Sequence, residues 1–342
     1  MFGFGRDEVF GLDIGSSAVK VVALRKDKAG YVVTAAAIAD VPQSRDNGTR
    51  GGSGPIRAIR DCIQLTGIQT KSAVCGVCGS EVAVRDFTFP SLSPGEIEGA
   101  ALLEARQICP FNTEDGAVDY QLMSNGNDGS RGVLVAATNT AIQNKAQLAS
   151  DASLKCVLMD VDGLALLNCF NECEEPQLDG AAPVLNVGHS YTTLALGGDR
   201  GLPFVRDIAF AGRKILEEIA AENDMSTETV QEILFDGPMD TESLLCDSLE
   251  RACEKLIVDV NETLRYNTAQ DRSRIAENMF ICGGFALSKE FVELLNHRLP
   301  IEVVLWNPFE KIPCAVGKEQ QDILQSKGPA MAVAAGLAMR SF

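Results

Sequence analysis

The sequence predicts an α/β fold of two related halves, with a small α/β subdomain inserted into the first. Three observations carry this. Near the start, apolar residues run into Asp13-Ile14-Gly15-Ser16-Ser17, and alternating apolar residues follow with Lys20 among them. That is the pattern of two strands joined by a tight glycine turn. Much later, Val184-Leu185-Asn186-Val187-Gly188-His189-Ser190-Tyr191-Thr192-Thr193-Leu194 repeats it, with Asn186 where the first copy has Asp13. A third glycine turn, Cys282-Gly283-Gly284, follows a strand and precedes a helix. Two matched hairpins in one chain suggest two related halves closing on one ligand.

The remaining elements follow from local pattern. Strands are expected over residues 9–12, 19–24 and 31–38, then a Gly-, Ser- and Arg-rich loop over 43–54. A helix near 55–66 and a strand over 73–77 complete the first unit. From residue 81 the pattern changes. Residues 82–89 alternate as a strand, and Ser93-Pro94-Gly95-Glu96 opens a helix that stops at Pro110. Ser93 is the N-cap there, Pro94 takes the first position, and Glu96 sits where a capping box needs it. Strands over 117–123 and 132–138 and a helix over 140–152 end the insert.

A strand over 157–160 and a helix over 163–172 return to the first half, and the polar stretch 174–182, with Pro176 and Gly180, marks the crossing between halves. The second half reopens with strands over 184–187, 191–196 and 203–209. Helices over 212–223 and within 241–268 follow, then a strand over 279–282, a helix over 288–298 and a strand over 301–305. Residues 329–339 form a small-residue helix suited to close packing on a sheet. The expected domains are 1–80 with 153–173 and 329–342, the insert 81–152, and 183–328.

Composition limits the function classes. With 342 residues the chain can bury two sizeable cores, and 46% hydrophobic with 23% charged residues is ordinary for a globular protein. A net charge of −17 argues against nucleic acid and against direct binding to anionic lipid. No apolar run reaches the roughly 18–20 residues that span a bilayer, and the first residues lack a secretory pattern, so a cytoplasmic protein is expected. The 11 cysteines sit mostly in apolar stretches, as reduced core residues do. Cys75 and Cys78 have a metal-like spacing, but with no second pair and only two histidines a zinc site lacks ligands.

The glycine turns carry the chemistry. Gly15 lets the backbone approach an anion, the amides and hydroxyls of Ser16 and Ser17 can donate to it, and Lys20 is within reach. Asp13 can hold a hydrated magnesium ion. Gly283 and Gly284 let an adenosine or phosphate lie against backbone and helix start.

These three turns in this order, with Ala209-Phe210-Ala211-Gly212-Arg213-Lys214 between the second and third, resemble the actin and FtsA superfamily of ATP-binding proteins. Within it the chain most resembles the PilM family of type IV pilus assembly. The closer likeness lies in residues 11–22, in Ile108-Cys109-Pro110-Phe111 with Val118-Asp119-Tyr120, in Val157-Leu158-Met159-Asp160-Val161-Asp162, and in residues 332–342. The resemblance implies an actin-like, duplicated ribonuclease H-like fold and an ATP and magnesium (Mg2+) site. It implies that Asp13, Gly15, Ser16, Ser17 and Lys20 form the first phosphate loop, with Asp13 on the metal. Asn186, Gly188, Ser190 and Thr192 occupy the second, where relatives usually have aspartate in place of Asn186. Gly283 and Gly284 match the adenosine motif, and Gly212, Lys214 and Glu217 lie where relatives approach the ribose and adenine. Asp160 or Asp162 falls near the helix that holds the water-positioning residue, and the sequence does not choose between them.

Asn186 weakens the case for hydrolysis. Its carboxamide offers a neutral oxygen and a competing donor, so both metal binding and water activation suffer. The family resemblance further implies a scaffold of type IV pilus or related type II secretion assembly, peripheral to the cytoplasmic membrane, docking the N-terminal peptide of an inner-membrane PilN-like partner on the insert, with other pilus or secretion platform proteins as partners and homo-oligomers possible. Candidate contacts are residues 101–111, 118–123 and 133–137, for most of which the insert's own core is the better reading. The competing readings are a sugar or carboxylate kinase of the same fold and an FtsA-like filament-forming cell-division protein.

Overall fold

Residues 9–28, 30–42, 53–126, 129–175, 181–197, 202–236, 245–271 and 277–340 are described by a computed structural model. The loop expected over 43–54 falls outside them except for its last two residues, as does most of the polar crossing at 174–182. The chain opens as an antiparallel meander of β1 (Phe10–Ile14), β2 (Ala18–Asp27) and β3 (Gly30–Asp40), followed by α1 (Ser53–Thr66) and β4 (Ser72–Val77). The insert runs β5 (Val82–Phe89), α2 (Pro94–Ile108), β6 (Gly116–Gly126) and β7 (Gly129–Thr138). Then α3 (Asn139–Asp151) leads to β8 (Lys155–Val161) and α4 (Asp162–Cys173). The second half holds β9 (Val184–Val187), β10 (Thr192–Gly197), β11 (Pro203–Ile208), α5 (Gly212–Glu222), α6 (Thr227–Asp236) and α7 (Cys246–Asp271). It continues with β12 (Asn278–Cys282), α8 (Lys289–Arg298), β13 (Glu302–Leu305), α9 (Lys318–Lys327) and α10 (Ala332–Ala338).

Two five-stranded sheets share one topology. The first has the order β3-β2-β1-β4-β8 and the second β11-β10-β9-β12-β13. In each, the first three strands pair antiparallel and the last two add parallel. The likeness extends to register. Asp13 faces Lys20 across the first hairpin, and Asn186 faces Thr193 across the second. The Gly15 amide donates to the Ala18 carbonyl at 3.1 Å, and the Gly188 amide to the Tyr191 carbonyl at 3.0 Å. The third sheet, β5-β7-β6, is antiparallel. Its helix α2 begins as the sequence dictates, with the Ser93 amide donating to Glu96 Oε2 at 2.8 Å.

The core that joins the halves is built on small residues. All seven residues of α10 are buried, and it packs on β1, β2 and α4. A Cβ on Gly336 would lie 1.9 Å from the Ala165 carbonyl oxygen, and one on Gly11 would lie 2.0 Å from that of Ala334. Backbones therefore touch backbones at both crossings. The same core takes Val22, Val74 and Val161 from the first half and Val184, Ala195 and Cys282 from the second.

The structure differs from the sequence reading at three helices. The sequence assigns α3 to the insert, but Ala149 lies in the core with Phe10, Leu12 and Ile14 of β1, so α3 also covers the first sheet. Helices α6 and α9 have no counterpart in the sequence pattern. Each presents few apolar residues to the core, with Val230 and Leu234 buried in α6 and Leu324 in α9, so neither has a strong periodic signal. Among the described residues no helix is long and apolar enough to cross a membrane.

Because nothing at these crossings can move aside cheaply, Gly11→Ala and Gly336→Ala should each lower unfolding free energy by about 1–3 kcal/mol or more. Chemical denaturation measures this, and losses under 0.5 kcal/mol at both positions would contradict the packing described.

Candidate functional site

The two hairpin turns meet. Ser16 Oγ and Ser190 Oγ are 2.7 Å apart, joining residues that the sequence places in separate phosphate loops. Just behind them, Gly79 adopts a φ of +104°, and the Tyr191 ring lies so close that a Cβ on Gly79 would come within 2.7 Å of it. The Gly79 amide donates to Asp207 Oδ2 at 2.7 Å, and Thr193 Oγ1 donates to Asp207 Oδ1 at 2.5 Å. Asp207, on β11, thus ties the second sheet to the end of β4. Burial raises its carboxyl above the usual range. The start of α4 completes the contact, where Gly163 leaves room for Val205.

On the first side, Lys20 Nζ and Asp13 Oδ2 form an ion pair at 3.0 Å, each side chain 14% exposed. Gly15 and Ser17 are half-buried beside the exposed Ser16. Lys145 reaches over from α3, its ammonium donating to the Ile14 carbonyl. Asp162, the first residue of α4, has a buried Oδ1 without a hydrogen-bond partner. It fits because position 76 is glycine, where a Cβ would overlap that oxygen at 1.9 Å. Burial first, and the Asp13 charge second, push its carboxyl up to about 7, against the opposing pull of Lys145 and of the nearby Cys78 thiol. Burial raises the Cys78 thiol in turn.

Asp160 faces elsewhere. Its Oδ2 lies 3.1 Å from Arg340 Nε, and its Oδ1 accepts from the Val161 amide at 2.8 Å. Its carboxyl is raised, burial outweighing Arg340. Of the two aspartates left open by the sequence, Asp162 is the one whose surroundings include Asp13 and Lys145.

On the second side, Asn186 Oδ1 accepts from the Cys282 thiol at 3.8 Å. Gly283, with φ +96°, passes so close to it that a Cβ would meet that oxygen at 2.7 Å. The Gly283 amide donates to the Pro329 carbonyl at 2.9 Å, while Gly284 is exposed to open space. Helix α5 begins against the second turn, the Gly212 amide donating to the Gly188 carbonyl at 3.1 Å and that of Arg213 to the His189 carbonyl at 2.8 Å. Lys214 and Glu217 pair at 2.8 Å on its solvent side, and Lys214 holds the Glu217 carboxyl below the usual range. His189 is held in the neutral direction, by burial first and the Arg213 charge second. Thr192 is not on the cleft surface. It is fully buried, and its hydroxyl donates to the Phe210 carbonyl at 2.8 Å.

These residues fit a magnesium nucleotide. Asp162 Oδ1 is a buried acceptor lacking a donor, Asp13 stands beside a cation, and the two glycine turns meet at Ser16 and Ser190. Asp13 would hold the metal and the Gly15–Ser17 and Gly188–Ser190 turns the phosphates. The carboxylate of Asp207 is turned to the Gly79 amide and the Thr193 hydroxyl, one on each oxygen.

A duplicated β-sheet pair that brings two glycine-turn hairpins together defines an actin-like fold. The chain matches the type IV pilus assembly protein PilM family over residues 11–342 and belongs to it. Among solved structures it is similar to one described as a PilM-PilN type IV pilus biogenesis complex. There the identity is 24%, the TM-score 0.81, and 98% of this chain and 99% of that one are covered. It is also similar to the ethanolamine utilization protein EutJ from Carboxydothermus hydrogenoformans, at 14% identity and TM-score 0.56 over 97% and 89% of the two chains. A diol dehydratase-reactivating factor in nucleotide-free form follows at 11% identity and TM-score 0.55, over 97% and 99%.

The raised carboxyl of Asp162 has a consequence for stability. Its folded value, about 7, lies above the unfolded value of 3.8, so the folded chain holds the extra proton between them. Stability from this group is full below about pH 4 and falls as pH rises to about 7. Asp162→Asn should therefore gain on the wild type with rising pH, by at most about 1.4 kcal/mol per unit across that window. Denaturation at pH 5 and pH 8 measures the gain, and an advantage that shrinks with pH contradicts the burial of a proton there.

Proposed function

We propose that this protein is an ATP-binding scaffold of type IV pilus assembly, or of a related type II secretion system. In this reading it works at the inner face of the cytoplasmic membrane and docks the N-terminal peptide of a PilN-like inner-membrane partner. The observation that carries the nucleotide part is the contact of two register-matched hairpins at Ser16 and Ser190. Family membership supports the pilus part, and the PilM-PilN complex among similar structures supports the partner.

The magnesium nucleotide supplies the charge that these loops are arranged to neutralise. Lys20, paired with Asp13, is a cation beside the first turn, and the amides and hydroxyls of Ser16 and Ser17 are the donors this reading assigns to the phosphates. Opening the Ser16–Ser190 contact frees two hydroxyls to donate. The second side contributes a neutral pair, Asn186 and Thr193, where the first contributes an ion pair. Asn186 cannot accept a proton, and loss of a general base costs about 10²–10⁴-fold in rate. We therefore infer tight binding with slow turnover.

For the partner, Ala101, Ala105, Leu134 and Ala136 of the expected groove are fully buried and belong to the insert's own core. Among the described residues, the large apolar side chains exposed on α2 and β6 are Leu102, Leu103, Leu122 and Met123. These are the side chains that a docking peptide would cover.

Titration calorimetry with ATP and magnesium tests the nucleotide part. Asp13→Ala should weaken binding at least tenfold, and Asn186→Asp should raise hydrolysis above a wild-type rate well under 1 per second. Wild-type turnover above that rate would overturn the scaffold reading. A pull-down with the PilN-like N-terminal peptide tests the partner. Leu103→Asp should abolish capture while leaving nucleotide affinity within about twofold, and undiminished capture would remove α2 from the docking surface.

A further inference from the structure

We propose that Lys145 contacts the terminal phosphate of the bound nucleotide and carries its presence into the β5-β7-β6 sheet. This rests on the nucleotide reading of the cleft. Lys145 lies in the middle of α3, a helix that the sequence reading gave no part in the site. Its ammonium donates to the carbonyl of Ile14, the last residue of β1 and the neighbour of Gly15. That position is beyond the carboxyl ends of the parallel strands β1, β4 and β8, where α/β sheets of this kind take their ligands.

The ammonium has donors to spare. It carries three N–H groups, and among the described residues Ile14 O is its one hydrogen-bond partner. The neighbouring acids leave it without a bonded counter-ion. Asp13 is engaged by Lys20 at 3.0 Å, and no carboxylate of the described residues lies within ion-pair distance of Lys145. Its charge nonetheless acts on Asp162 and Cys78, which places it at the base of the cleft. A half-buried cation with two unused donors, next to a glycine turn, suits a multiply charged anion.

The route outward is short. Helix α3 is capped by Thr138, the last residue of β7, and β7 is the central strand of its sheet. Thr138 Oγ1 accepts from the Ala141 amide at 3.2 Å and donates to Glu81 Oε1 at 2.7 Å. Helix and strand are thereby fastened at their junction, and α3 also packs on β6 and β7. A pull on Lys145 displaces the helix, and the helix displaces the sheet that carries Leu122 and Met123.

The test is calorimetry of the whole chain with ATP and with ADP, each with magnesium, for wild type, Lys145→Met and Lys145→Arg. Hydrogen exchange over residues 129–151 accompanies it. Wild type should bind ATP more tightly than ADP. Lys145→Met should lose about 10- to 100-fold in ATP affinity, the range for one charge-assisted hydrogen bond, with ADP affinity held within about threefold. Lys145→Arg should recover part of the loss. ATP should protect residues 129–151 more than ADP does in wild type, and equally in Lys145→Met. Equal losses for ATP and ADP would make Lys145 a brace for Ile14 and overturn the proposal alone. So would affinities that do not change. Wild type that binds neither nucleotide would overturn the nucleotide reading and this proposal together.

Discussion

Everything in the cleft depends on two places where backbone touches backbone. Gly336 of α10 lies against Ala165 of α4, and Gly11 of β1 lies against Ala334 of α10. Helix α4 begins with Asp162 and Gly163, so its height above the sheet fixes how near Asp162 comes to Asp13 and how closely Val205 approaches from the second half. A single methyl at either crossing would lift α4 or α10 away from the sheet. The small residues of 332–338 are thus a distance constraint as much as a core.

Within that frame the two halves have kept geometry and exchanged chemistry. The hairpins agree in register and in the closing amide bond, yet one holds an Asp–Lys pair and the other an Asn–Thr pair. The closing amide bond is the same on both sides, whereas the ion pair lies on the first. The second half's carboxylate, Asp207, serves instead to bind the Gly79 turn. In the nucleotide reading proposed above, this asymmetry is what separates binding from hydrolysis.

Much of this was legible in the chain. The hairpins were readable because Asp13–Lys20 and Asn186–Thr193 place glycine and small polar residues at the same spacing between apolar runs. The helix at Pro94 was readable from its cap. The choice between Asp160 and Asp162 was not, because both follow the same alternation, and their difference comes from Arg340 and from the space left by Gly76. Thr192 looked like a loop hydroxyl, but the strand turns it inward to Phe210. Lys145 and Asp207 gave no local sign at all. One is a lone lysine on an ordinary polar helix and the other a strand acid, and only chain segments far away in sequence make them part of the site. The helices α6 and α9 escaped for a simpler reason, since so few of their residues face the core.

The position of α10 also bears on how the molecule is made. The first sheet's inner face, with Gly11, Val22 and Val33, is covered by residues 331–339, which leave the ribosome long after β1 to β3 do. Until then that face has no partner, and its apolar strands stay open to wrong contacts. Pairings so distant in sequence fold slowly and expose intermediates. Biogenesis of this protein therefore hinges on its last helix arriving, and the first half cannot be finished ahead of the second.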